Sequence, residues 1–208
     1  MKRQQAGFTL VEIAIVLVII GLLLGGILKG QEMINSGKIK SMINDMKAVS
    51  IAYYSYQDRY RAIPGDDSSA ATRFAGAVSG SGNGVISGNF NAVAAPAPAA
   101  ESNSFWQHTR MAGFMSGVAT AGAALPPTSS VGGVVGIEDA AYGISGAVAC
   151  GSNIPMNMAQ SMDIQLDDGT ATTGIFRAGA TGAVATALVG TGYNIATPTA
   201  GVIVCQQI

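Results

Sequence analysis

Hydrophobic and polar positions divide the chain into distinct stretches. Met1 to Gly7 is short, basic and polar, and Phe8 to Leu28 is an apolar run of 21 residues interrupted by one charge, Glu12. As a helix that run would be roughly 31 Å long, which matches the hydrocarbon core of a bilayer. Beyond Lys29 the pattern turns amphipathic. Ile39, Met42, Ile43, Met46, Val49, Tyr53, Tyr56 and Tyr60 recur at steps of three or four, and Lys38, Lys40, Asp45, Lys47 and Asp58 mostly fall between them. This spacing predicts a helix with one face for a core and one for water. Ile63-Pro64-Gly65 is expected to stop it. A helix running from Phe8 to about Tyr60 would be about 80 Å long.

From Pro64 to about Ser130 the chain is rich in Gly, Ala and Ser, with a flexible turn over Gly80 to Gly84 and prolines at Pro96 and Pro98. After Ser130 short β-like runs alternate with turns: Val131 to Ile137, Tyr142 to Ala149, Met162 to Leu166, Thr173 to Ala178 and Val202 to Cys205. Asp168-Gly169 is expected to turn a hairpin. The whole pattern predicts an α+β fold, in which a long N-terminal helix, apolar then amphipathic, packs on a C-terminal antiparallel β-sheet.

Composition narrows the function. Only 11% of residues are charged, about half the usual share, and 28 are glycine. Such a body suits an extracellular, loop-rich, β-containing fold. The formal net charge is −1, and every lysine lies at or before Lys47. No basic stripe remains for electrostatic nucleic-acid binding. Asp66-Asp67, the Gly/Asn turn and Asp139 offer the hard oxygens that calcium prefers, but their spacing matches no complete loop, so they are read as solvated turns. The lone His108, beside Trp106, reads as core or interface, and no G-x-S-x-G elbow or other catalytic constellation is present. The expectation is a structural protein without catalytic residues, cofactor or metal. The two cysteines, Cys150 and Cys205, form no C-x-x-C pair. In an exported body they would be joined as a disulfide, the alternative being two buried thiols.

The positive charge ahead of the apolar run predicts a cytoplasmic N-terminus, with the body outside the inner membrane. A secretory signal would be cleaved after the apolar core at an A-x-A-like site, and Leu28-Lys-Gly-Gln-Glu-Met33 holds none. A lipoprotein signal would place a cysteine there. An ordinary anchor leaves Glu12 unexplained, because a carboxylate in the apolar run costs about 2.5 to 3.5 kcal/mol near a helix centre and less near its end. The carboxylate therefore has either a partner or a solvated place at headgroup level.

Ala6-Gly7-Phe8-Thr9-Leu10-Val11-Glu12-Ile13 resembles the prepilin cleavage and methylation motif of type IV pilins and type II secretion pseudopilins. The resemblance implies a membrane prepilin peptidase that cuts after Gly7 and methylates the new amine of Phe8, and it implies that Glu12 acts in assembly. The new amine offers Glu12 a cationic partner, within one helix or from a neighbouring subunit. Gly21 and Gly25, and Gly26 and Gly30, form G-x-x-x-G pairs that permit close helix packing. Many relatives carry a proline just after the apolar run. Here Lys29 stands near that place, and Gly25, Gly26 and Gly30 could supply the helical weakness instead.

Later segments also resemble pilin-like proteins, more loosely and in the expected order. They are Tyr60-Arg-Ala-Ile-Pro-Gly-Asp66, then Glu101-Ser102 with Phe105-Trp-Gln-His108 and Ala112-Gly113, then Leu166-Asp-Asp-Gly169 with Thr173-Gly174. Thr109 departs from the usual leucine. The divisions implied are a leader at 1–7, a transmembrane or filament-core helix at 8–28, its amphipathic continuation at 29–62, a connecting region at 63–130 and a β-sheet region at 131–208. The function implied is a type IV pilus-like filament subunit, stored in the inner membrane and polymerised at the cell surface with identical copies by an assembly machinery. The alternatives are a secretion pseudopilin, or a single-pass membrane protein with an exported binding domain that never polymerises.

Overall fold

The computed structural model describes residues 7, 9–92, 100–120, 124–180, 192–193 and 201–208. They form two compact units, the first ending at Lys38 and the second running from Ile39 to Ile208. Helix α1 spans Leu10–Tyr60 and passes through Gly21, Gly25, Gly26, Gly30 and Gly37 without a break. Its end is abrupt. Arg61 adopts a left-handed backbone with φ 54°, and the Ile63-Pro64-Gly65 turn follows, with Gly65 at φ 96°. A side chain at Gly65 would collide with the carbonyl oxygen of Glu101, so only glycine fits this turn.

In the second unit, α1 is followed by the short α2 (Ala70–Arg73), α3 (Glu101–Met111), β1 (Val135–Asp139), β2 (Ala147–Pro155), α4 (Met156–Leu166), β3 (Phe176–Ala180) and β4 (Gly201–Gln207). The strands make one sheet in the order β1-β2-β4-β3, antiparallel throughout. The chain is thus α+β, with a long N-terminal helix and a four-stranded antiparallel sheet.

The sheet has two covered faces. Ile137, Ala149, Val204 and Ala178 share a core with Met42, Met46 and Val49 of α1, Phe105 and Trp106 of α3, and Met158 and Met162 of α4. The close approach of α1 explains Gly151 on β2, where any side chain would strike Met42. Val148, Cys150, Ile203 and Cys205 alternate onto the other face, under Phe90, Tyr142 and Ile144. The predicted core stripe of α1 is buried at Ile39, Met42, Ile43, Met46, Val49 and Tyr56, with Ala52 added, while Tyr53 and Tyr60 are half-buried.

Several expected strands are corrected. Met162 to Leu166 is not a strand but the end of α4, whose Met156, Met158, Ala159 and Met162 are buried at helical spacing. Asp168-Gly169 therefore turns between a helix and β3, not within a hairpin. Tyr142 to Ala149 is strand only from Ala147, because Ala140, Tyr142 and Gly143 have φ of 58°, 50° and 76°, outside the extended region. β1 starts at Val135 instead of Val131, after Gly132 at φ 85°, and β3 covers Phe176–Ala180 instead of Thr173 to Ala178.

Candidate functional site

The first candidate site is the start of α1. Thr9 is its N-cap. The Thr9 N–H and hydroxyl both donate to Glu12 Oε2 at 2.7 Å, and the Glu12 N–H donates back to Thr9 Oγ1 at 3.3 Å. This is a reciprocal capping box, which satisfies amide donors that the helix end would otherwise leave free. Glu12 thus has a local partner that the sequence reading did not name, although Thr-x-x-Glu is legible as a box. Phe8 lies outside the described residues, and so does a Glu12 pairing with its amine.

Among the described residues, little covers the helix beyond the box. From Leu10 to Leu28 the large apolar side chains are between 46% and 87% exposed. α1 is the one described helix long and apolar enough to cross a membrane, by length and composition. At Gly7, Gly21, Gly25, Gly26 and Gly30 a Cβ would meet nothing within 4 Å. Among the described residues nothing therefore packs beside them, although each of the four in α1 costs about 1 kcal/mol relative to alanine.

The second group of residues forms a polar network in the body, and it absorbs the looser motifs. Asp66, expected as a solvated turn residue, is buried. Its carboxylate accepts the Ser81 hydroxyl and the N–H groups of Gly82, Asn83 and Gly84 at 2.6–3.1 Å. Asp67 is buried as well, accepting the Tyr56 hydroxyl at 2.6 Å and pairing with Arg73. Burial in this setting pushes the Tyr56 hydroxyl up to about 12, partly offset by the Arg73 charge. Glu101 accepts the N–H groups of Ser81 and Ser87. Burial pushes its carboxyl up, but the hydrogen bonds from Ser87 and Ser81 outweigh this and hold it below the usual range.

Gln107 and His108 complete the network. Gln107 accepts from Val78 N–H at 2.9 Å and donates to the Gly76 carbonyl at 3.0 Å. The Gly65 N–H donates to His108 Nδ1 at 2.9 Å, so Nε2 carries the proton and donates to the Val78 carbonyl at 2.7 Å. The ring is neutral in this arrangement, and burial lowers its pKa, opposed by the bond to Val78. The Gln107 and His108 side chains both serve loop backbone, and with the Tyr56–Asp67 bond the arrangement holds the 65–87 segment on α1 and α3. Thr109 takes its place without a leucine by returning its hydroxyl to the Phe105 carbonyl at 2.8 Å.

Among the described residues, two groups have donor sets of a kind that holds metals. Glu138, Cys150 and Cys205 lie within 4.8 Å of one another, but the cysteines are joined in a disulfide across the β2–β4 register pair. Asp163, Asp167 and Asp168 are equally close. Their oxygens accept from Tyr193 and Gly169, from Ile175 and Phe176, and from Thr170 and Thr173 respectively, so they too serve as acceptors for the local backbone and hydroxyls.

The comparison with protein families matches residues 2–28 to the prokaryotic N-terminal methylation motif, the signature of type IV pilins and pseudopilins. Gly7, Thr9, Glu12, Gly21, Gly25 and Gly26 all fall inside the match, and Gly30 and the body fall outside it. Among curated proteins and among solved structures, none matches the chain.

Proposed function

We propose that the chain is a prepilin whose mature form is a structural subunit of a type IV pilus-like filament. The observation that carries this reading is the methylation motif at residues 2–28 leading directly into an apolar helix whose side chains its own chain leaves exposed. A prepilin peptidase cuts between Gly7 and Phe8 and methylates the Phe8 amine. The helix holds the subunit in the inner membrane, with the body outside, until the assembly machinery moves it into a filament at the surface. There, identical helices replace lipid around residues 10–28. Gly21, Gly25, Gly26 and Gly30 let those helices approach, which accounts for glycines beside which no described residue packs.

Glu12 has two tasks in sequence. In the precursor and in the membrane it closes the capping box with Thr9. In the filament it pairs with the Phe8 amine of a neighbouring copy, neutralising two charges in a water-poor helix bundle and fixing the stagger between subunits. The body is a rigid exported domain, closed by the Cys150–Cys205 disulfide and by the polar network around Asp66 and His108, with no catalytic role.

Shearing and electron microscopy of cells that produce the chain test the reading. The wild-type chain is expected in sheared filaments, and a bulky Gly7→Leu chain is expected to stay in the membrane as unprocessed precursor. Gly7→Ala should be tolerated by a small-residue pocket. A Gly7→Leu chain that assembles as well as wild type would rule out processing at this site.

A further inference from the structure

Two surfaces of the second unit carry exposed apolar side chains beside charges of opposite sign. On α1, Lys40, Asn44, Lys47, Ile51, Tyr54 and Asp58 recur at alternating steps of four and three, and all are exposed. Ile51 is 66% exposed and Tyr54 53%, one turn apart and next to Lys47. Polar residues would serve solvent better at both places, although the Tyr54 ring also meets Tyr53 edge-on at 5.4 Å. The other surface lies where α4 meets β3. Ile164 is 64% exposed and Ile175 45%, and they flank the turn that carries Asp167 and Asp168. Gly169 backs onto Ile164, and the Ile175 N–H donates to Asp167, so the two isoleucines and two carboxylates share one place. Hydrogen bonds from Thr170 and Thr173 hold Asp168 ionised at neutral pH and leave it at the surface.

We propose that these two surfaces meet between copies of this chain, the Lys47–Ile51–Tyr54 face of one body against the Ile164–Asp168–Ile175 turn of the next. This rests on the filament reading. The rims are complementary in balance: Lys40 and Lys47 on the α1 face, where Asp58 is paired with Arg61, against Asp167 and Asp168 on the turn, where Arg177 is turned onto the Gly174 carbonyl, with isoleucine and tyrosine against isoleucines at the centre. Apolar contact provides most of the attraction, and the exposed charges set orientation and register. Because the surfaces differ, the contact is heterologous. Each copy keeps one surface of each kind free after pairing, which extends a helical polymer instead of closing a dimer. A lipid surface would also suit the α1 face, but it leaves the acidic turn without a role.

Charge reversal in the full-length chain tests the contact. Lys47→Glu and Asp168→Lys alone should each lower the yield of sheared filaments about fivefold. The two substitutions in one chain should restore it to near wild type. Lys47→Glu should keep the Cys150–Cys205 disulfide and resist protease as wild type does. Asp168→Lys gives up the hydrogen bonds from Thr170 and Thr173, so the double variant must restore filaments at unchanged protease resistance relative to Asp168→Lys alone. As an independent measurement, copies carrying Ile51→Cys are co-produced with copies carrying Ile164→Cys. Oxidation of their filaments should link the two kinds of copy, and neither kind to itself. A double reversal no better than the singles, or filaments at wild-type level without the cross-link, overturns the contact and leaves the filament reading standing. Filaments at wild-type yield from Lys47→Glu would leave the α1 face to lipid and overturn it as well. A wild-type chain that forms no filament overturns the filament reading, and the contact with it.

Discussion

The two parts of α1 obey the same backbone geometry and opposite packing logic. From Ile39 to Tyr56 the helix offers one apolar stripe, and its own chain buries it: Met42, Met46, Val49 and Tyr56 are all covered. From Leu10 to Leu28 it is apolar all round but for Glu12, and its large apolar side chains stay 46–87% exposed among the described residues. Burial of a large apolar side chain stabilises by about 1.5–3 kcal/mol. In the later stretch this favours folding of the body. In the early stretch no described residue of the body supplies that gain, and the proposed filament supplies it from lipid first and then from other copies. The folded body can therefore explain Met46, but it cannot explain Ile19 or Gly25.

The sharpest way to break this contrast is at Glu12. Glu12→Leu should insert, be cut after Gly7 and form the disulfide, while filament yield falls about a hundredfold or more, the consequence of leaving an amine unpaired in a water-poor bundle. Thr9→Val separates the two tasks of Glu12, because it removes the hydroxyl half of the capping box and keeps the carboxylate. It should assemble far better than Glu12→Leu. Equal defects in sheared-fraction immunoblots would assign Glu12 to helix capping alone.

Next in size is the disulfide. Cys205→Ser frees a loop of 55 residues and should cost the body about 4 kcal/mol in denaturant unfolding, with membrane insertion unchanged. Met46→Ala should then cost about 3 kcal/mol by the same measure. The matching change Ile19→Ala should leave the unfolding curve of the body where it was. A body destabilised equally by both would erase the distinction between the two stretches.

The smallest effect concerns pH. His108 has a lowered pKa when folded, so its contribution is full above the unfolded value of about 6.5 and is lost as pH falls through the folded one. Glu138 acts with the opposite sign. Burial raises its carboxyl despite the N–H of Phe90, so its contribution is full below about 4.3 and is lost as pH rises. His108→Gln should flatten the decline between neutral and mildly acidic pH, and Glu138→Gln should raise stability at neutral pH. Thermal melts across that range would show either slope.

How far the sequence reveals all this follows the same division. The early stretch is legible because its determinants are consecutive: a basic leader, Gly7-Phe8, an early Glu12 and an apolar run. The core face of α1 is legible because helical period survives in sequence. The sheet is only partly so. β4 is close to its expected span, but the left-handed turn at Tyr142 looks like strand by residue type, and α4 looks like a β run because Met162 to Leu166 is read without Met156 and Met158. The polar network was the least visible. Asp66 is buried because distant amides at Gly82, Asn83 and Gly84 reach its carboxylate, and no local pattern announces that. His108, similarly, depends on Gly65 and Val78.

The central claim is that this chain leaves the membrane as a processed filament subunit. Mass spectrometry of the N-terminal peptide from the sheared surface fraction tests it most directly. The account predicts a peptide beginning at Phe8 and carrying one methyl group on its amine. Surface material that still begins at Met1 would contradict it.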